Sequence, residues 1–349
     1  MSPTPRRRVR AAAVFIALAW CGVRPAAAHE GWGAVVDRLG RVYVADIPAN
    51  IIWRYTPGWG AEPVARDIHS HALVLGPDGA VYGTHAEPDG PRRGVWRLDM
   101  SGRLSFVVQP GDGGGMGLQS FLMGSDGAIY SASAFQPDRA PEQRTVHLLR
   151  RLASGRIDTI AGGPAGFRDG TAGAARFQAI DGMAWLPDGR MLIVDGARLR
   201  TLDLSGRVET RAGAPAVRRW DEDLLGVAVA GDSTVFAADF AAGVVRRWRG
   251  AESTTVYRRH PYWSPAGVAA AGGSLYVLEH PRAPLGILGD LGIGPYLRLR
   301  RIGPGGDSTV LFHQQGRNTG VAAAIVAALA GAVAFRRLRG RRAAASRSR

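Results

Sequence analysis

The sequence predicts an all-β fold built from six similar four-stranded sheets arranged in a ring. Three observations lead there. Related stretches recur at a period of roughly 40 residues over most of the chain. Each begins with a short apolar strand, a Gly-rich turn and a second strand with an aromatic or apolar landmark: "GAVVDRLGRVYVAD", "ALVLGPDGAVYGTH", "SFLMGSDGAIYSAS", "GMAWLPDGRMLIVD", "GVAVAGDSTVFAAD" and "GVAAAGGSLYVLE". A second hairpin follows each first one, as in "IIWRYTPG", "GVWRLDMSG" and "HLLRRLASG". Two hairpins per unit make four strands, and four-stranded units at this period make the blades of a six-bladed β-propeller.

Taken in order, residues 1–28 read as a secretory signal peptide. Arg6 to Arg10 form a basic start, "AAAVFIALAW" an apolar centre and Ala26–Ala28 a small-residue cleavage site. The propeller occupies 29–313, with blades at about 31–67, 68–110, 114–163, 178–214, 222–260 and 263–313. The landmarks are Tyr43, Tyr82, Tyr130, Leu192, Phe236 and Tyr276. Each blade is contiguous in sequence, so ring closure is expected to rest on side-chain packing between blades 1 and 6. A linker at 314–319 leads to "GVAAAIVAALAGAVAF" at 320–335, read as a transmembrane helix. Sixteen helical residues span ~24 Å, a marginal length for a bilayer core of about 30 Å. The basic tail at 336–349 places its end in the cytoplasm. The layout is that of an exported protein anchored in the cell membrane with the propeller outside the cytoplasm.

The net charge of +15 does not describe the body. Five Arg fall within 1–28 and seven within 336–349, with no acid in either segment, which leaves only +3 between them. That excludes a general nucleic-acid footprint. All 44 basic residues are Arg, and the single cysteine, Cys21, belongs to the signal segment. The mature chain therefore has no disulfide and no thiolate metal site.

In a blade the second-to-third loop and the blade-to-blade crossover share one face. The long insertions, at 109–117, 133–145, 162–179 and 280–294, are all of those two kinds. Long loops sorted to one face of a rigid scaffold mark it as the functional mouth. Two rings of positions approach that mouth. Inner-strand starts supply Trp32, His71, Gln119, Asp181, Leu225 and Ala266, and second-strand ends supply Asp46, His85, Ser133, Asp195, Asp239 and Glu279. Asp46, Asp195 and Asp239 also suit the ordinary use of Asp in turns, accepting N–H bonds from the following loop. The polar members of both rings, Gln119, Ser133, Asp46, Asp195, Asp239 and Glu279, are candidate ligand-binding residues. His69, His71, His85 and Asp181 are candidate ligands for one divalent metal ion. His71 or His85 is the candidate general base, with Asp181 as its partner. His280 is expected to start a loop. "GDGGGMG" at 111–117 has no strand-to-helix context and is not a phosphate cradle.

Residues 161–213 carry a resemblance to a known family. Asp169-Gly170, Ala175-Arg176-Phe177 and Asp181-Gly182-Met183-Ala184 resemble an NHL repeat, and "VYVAD" in blade 1 follows the same pattern. The blades also resemble the gluconolactonase (senescence-marker-protein) family. That resemblance implies a six-bladed propeller holding a divalent ion at its mouth. Asp181 matches the family's inner-strand Asp, Gln119 stands where an Asn is expected, and Trp32 fills the blade 1 slot with Glu30 two residues away. His71 has no counterpart, so the ligand set is not intact. Some NHL-type propellers are lyases with a His-bound metal. The functional expectation is a monomer binding a small molecule or protein partner at the mouth. The alternative is a metal-dependent hydrolase or lyase acting on a small polar substrate.

Overall fold

The computed structural model describes residues 31–86, 92–134, 136, 138–196, 198–203, 205–213, 224–258, 261–282 and 294–316. The chain divides into two units, one of 29–282 with 297–313, the other of 1–28, 283–296 and 314–349. Only 294–296 and 314–316 of the second unit are among the described residues, where the Gly316 N–H donates to the Gly294 carbonyl at 2.8 Å. The signal segment 1–28, the apolar segment 320–335 and the basic tail 336–349 lie outside the described residues. Among the described residues no helix is long and apolar enough to cross a membrane.

Six antiparallel sheets follow one another along the chain. Blade 1 is β1 (Ala34–Val36), β2 (Val42–Asp46), β3 (Ile51–Thr56) and β4 (Gly60–Arg66). Blade 2 is β5 (Leu73–Leu75), β6 (Val81–Ala86), β7 (Arg93–Leu98) and β8 (Leu104–Val108). Blade 3 is β9 (Met116–Met123), β10 (Ile129–Ser133), β11 (Thr145–Arg151) and β12 (Ile157–Pro164). Blade 4 is β13 (Gly170–Thr171), β14 (Gly182–Trp185), β15 (Met191–Asp195), β16 (Arg198–Leu202) and β17 (Arg207–Gly213). Blade 5 is β18 (Leu224–Val229), β19 (Val235–Asp239), β20 (Val244–Arg249) and β21 (Glu252–Arg258). Blade 6 is β22 (Trp263–Ala271), β23 (Ser274–Pro281), β24 (Pro295–Ile302) and β25 (Ser308–Gln315). The chain is thus a six-bladed propeller. Blade 4 adds a short outer strand, because the crossover before it is long enough to return and pair Gly170 with Val208.

The turns between first and second strands show why these sequences make hairpins. Gly79, Gly127 and Gly189 adopt φ of 78°, 78° and 84°, open to glycine without strain. The preceding Asp78, Asp126 and Asp188 each accept the N–H two residues on, at 3.2, 3.0 and 3.0 Å.

Apolar side chains from adjacent sheets interdigitate at the seams. Ile52 and Tyr43 of blade 1 pack with Val81 and Trp96 of blade 2. Val95 and Tyr82 pack with Leu118 and Phe121 of blade 3. Leu122 and Leu148 pack with Phe177 and Ile193 of blade 4. The inner strands leave an axial channel of only about 40 Å³, lined by all six blades. Blade 6 meets blade 1 through side chains and close backbone approach. Phe312 lies 6.2 Å from the Trp53 ring and 6.5 Å from Tyr55. A Cβ on Gly267 would collide with the Trp32 carbonyl oxygen. His280 does not start a loop: it is buried within β23, and its Nε2 lies 3.0 Å from the Gly31 carbonyl oxygen.

Most third strands carry an arginine opposite the landmark of the second strand. Arg54, Arg97, Arg150 and Arg247 stand opposite Tyr43, Tyr82, Tyr130 and Phe236. In blade 4 the landmark Leu192 faces Thr201, and Arg200 pairs one position over, with Ile193. That shift sends Arg200 to the opposite face of its sheet.

Candidate functional site

At four of the six second-strand ends an acid is buried and engaged by its own corner. Asp46 accepts from the Ala49 N–H at 3.1 Å and the Trp53 indole at 2.9 Å. Asp239 accepts from the Ala242 N–H at 2.9 Å and Arg246 at 3.0 Å. Glu279 accepts from Arg298 and Arg300 and, at 2.6 Å, from the Tyr257 hydroxyl. Burial and the neighbouring Glu279 charge push Tyr257 up to about 12.

The blade 4 corner is the most elaborate. Asp195 accepts the N–H groups of Gln178 and Ala179 at 2.8 and 2.9 Å, which seats the end of the crossover loop. Arg200, whose side chain is 0% exposed, donates to Asp195 at 2.9 Å and to Asp169 at 2.9 Å. It also donates to the carbonyls of Arg176 and Arg168, and lies 4.6 and 4.8 Å from the rings of Phe167 and Phe177. Burial raises the Asp195 pKa, opposed by the Ala179 N–H and the Arg200 charge.

The corners of blades 2 and 3 carry no acid. In blade 2 the position is His85, and three histidines gather in the seam toward blade 1. The His71 ring lies 5.4 Å from Trp32 and 5.1 Å from His69. His69 Nδ1 is 3.0 Å from Asn50 Oδ1, and the His69 N–H donates to His85 Nδ1 at 3.2 Å. His85 also lies edge-on to Phe106 at 5.8 Å. Register explains the grouping: His85 pairs with Gly94, and the Ala86 N–H donates to the His69 carbonyl at 3.0 Å.

In blade 3 the position is Ser133, which borders a cavity of about 360 Å³ between blades 3 and 4. Gln119, Ser133 and Asp181 line it together, with Gln136, Arg144, Thr145 and Gln178. None of the three histidines does. A break in strand pairing aims Gln119 outward. Six residues of β9, from Met116 to Phe121, stand against three of β10, from Ser133 to Ser131. Leu118 sits at the break with φ 53°, buried, its N–H donating to Ser131 Oγ at 2.9 Å. Bulges of this kind redirect side chains beside functional sites. Gln119 is the exposed residue within an otherwise buried β9. Gln136 holds the 133–145 loop, its amide bonding Thr145 Oγ1 at 3.0 Å and the Thr145 N–H at 3.2 Å. Ser133 Oγ accepts the His147 N–H at 3.2 Å, and Asp181 accepts the Gly196 N–H at 3.2 Å.

Reading the strands alone did not find Gln136, Arg144, Thr145 and Gln178, although all four belong to two of the long loops. Loop length was the available signal. The cavity carries one cation, one carboxylate and several amides and hydroxyls over small apolar residues, which suits a small polar ligand. Among the described residues no group of three or more His, Asp or Glu is placed to hold a metal ion.

No family model matches the chain, and no curated protein matches it. Solved structures do. A protein of unknown function from Bacteroides thetaiotaomicron superposes with a TM-score of 0.52 at 12% identity, covering 72% of this chain and 68% of that one. A gluconolactonase from Xanthomonas campestris gives 0.50 at 12% identity, over 70% and 82%. A virginiamycin B lyase from Staphylococcus aureus gives 0.47 at 14% identity, over 80% and 83%. The class that the strand order shows is that of the six-bladed β-propellers. The likeness is one of fold.

Proposed function

We propose that this chain is an exported, membrane-tethered β-propeller that binds a small polar ligand or partner at its loop-decorated mouth. One observation carries the reading: the cavity of about 360 Å³ that brings Gln119, Ser133 and Asp181 together beneath two of the long loops. Its volume falls in the range of small-molecule sites, roughly 300–1,000 Å³. Export rests on the signal-like segment 1–28, and tethering on 320–335 with its Arg-rich tail. The binding test is a thermal-shift screen of the full chain in detergent against sugars, sugar acids and amino acids. At least one class raises the melting temperature saturably, and Gln119→Ala and Asp181→Asn weaken that response at least tenfold. Responses unchanged in both variants would place the ligand elsewhere. Membrane fractionation of the full chain against one ending at 319 tests the tether.

A second reading is a divalent-metal-dependent hydrolase or lyase with His71 or His85 as general base, acting without Asp181, which lines a cavity that none of these histidines borders. The gathering of His69, His71 and His85 in one seam favours it. The described donors do not complete a metal site, so the ion would need ligands from residues beyond them. Metal analysis of the purified chain beside His71→Ala decides. About one equivalent of metal, lost in the variant, supports this reading, and a metal-free parent removes it.

A further inference from the structure

Arg93 opens β7 at the mouth end of blade 2, paired across the sheet with Ala86. Side chains alternate along a strand. Val95, two residues on, packs with Met116, Leu118 and Phe121 of blade 3, so Arg93 shares the face turned to the blade 2–3 seam. The Gly-rich loop at 109–117 lies over it: a Cβ on Gly113 would stand 3.4 Å from the Arg93 carbonyl oxygen. Gly111, Gly114 and Gly115 take φ of 104°, 57° and 84°, and a Cβ on Gly115 would meet nothing within 4 Å.

What sets Arg93 apart is its charge balance. Arg97, on the same strand, donates to Asp78 at 2.8 Å, and Arg150 donates to Asp158 at 3.1 Å. Those bonds raise both above the ordinary arginine value. Arg93 is half-buried, and its guanidinium makes no hydrogen bond or ion pair among the described residues. Burial alone acts on it, and lowers it. Asp112, the acid of the overlying loop, is exposed and does not pair with it. A guanidinium partly withdrawn from water, with no counter-ion among the described residues, is an unfavourable arrangement that an oxyanion relieves, and its planar fork matches two oxygens at once.

We propose that Arg93 anchors an oxyanion-binding site in the seam between blades 2 and 3, taking a carboxylate or phosphoryl group presented at the mouth. The site is separate from the cavity between blades 3 and 4, and its test does not depend on that cavity. Acetate and inorganic phosphate are titrated into the full chain in detergent, at ionic strength held constant with chloride, with melting temperature and calorimetry as readouts. The parent binds at least one of the two saturably, and which one responds separates carboxylate from phosphoryl recognition. Arg93→Met weakens binding at least tenfold yet melts no lower than the parent when neither oxyanion is present, because it removes a desolvated charge. Arg93→Lys keeps the charge, loses the fork and binds more weakly than the parent. Gln119→Ala leaves the response intact. Three outcomes overturn the proposal: no saturable response in the parent, equal binding by Arg93→Met, or a lower melting temperature of Arg93→Met in chloride alone. The last would show that Arg93 has an internal partner.

Discussion

Blade 3 and blade 4 are neighbours that share four antiparallel strands, yet their mouth corners are built in opposite ways. At the end of its second strand blade 4 has Asp195, locked to two loop N–H groups and to Arg200. Blade 3 has Ser133, whose hydroxyl takes a single strand N–H and borders open space. Blades 1, 5 and 6 follow blade 4, with Asp46, Asp239 and Glu279 spent on their own corners. Blade 2 follows blade 3, with His85. A buried acid ties its own corner together, and at blade 3, where there is none, Ser133 borders the cavity. The candidate sites gather where the locks are missing.

The contrast breaks most visibly in stability. Arg200→Met leaves Asp195 buried without its cation and loosens Asp169. Removing one partner of a buried pair costs about 3–5 kcal/mol, and urea unfolding should show a loss of that order. A loss under about 1 kcal/mol would mean that the blade 4 corner is not a lock. Next comes the ring closure. His280→Ala removes the partner of the buried Gly31 carbonyl, a loss of about 1–3 kcal/mol. The same measurement on full chain and variant checks it.

The blade 5–6 corner adds a pH signature. The folded pKa of Tyr257, about 12, lies above its ordinary value of 10.0. The neutral phenol is favoured by folding, so its contribution is fully present below pH 10 and lost as pH rises toward 12. Tyr257→Phe should lose less stability than the parent between pH 9 and pH 11, and an identical loss in both would contradict the assignment. The smallest effect belongs to the open corner. Gln119→Ala should change stability by less than about 0.5 kcal/mol, because the side chain is exposed and makes no described bond.

The blades were legible because their turn chemistry repeats: Asp accepting a nearby N–H, then glycine at positive φ, recurs at Asp78, Asp126 and Asp188. The buried corner acids were legible as positions for the same reason. Seam direction was not. His71 and Gln119 occupy equivalent inner-strand starts, yet His71 is buried beside Trp32 and Gln119 is exposed. The extra residues of β9 and the left-handed Leu118 separate them, and no residue type announces that break. Arg200 was hidden similarly, since a one-residue offset from its landmark moves it from a surface row into the core of the lock. His280 sat in what reads as a loop, and only the meeting of blade 6 with Gly31 gives it a task.

The most direct test of the contrast between locked and open corners is crystallographic. Crystals of the full chain are soaked with a mixture of small sugars, sugar acids and amino acids. The account predicts ordered density in the cavity beside Gln119, Ser133 and Asp181, and none at the corners of Asp46, Asp239 or Glu279. Density at those locked corners, with the cavity left to solvent, would contradict it.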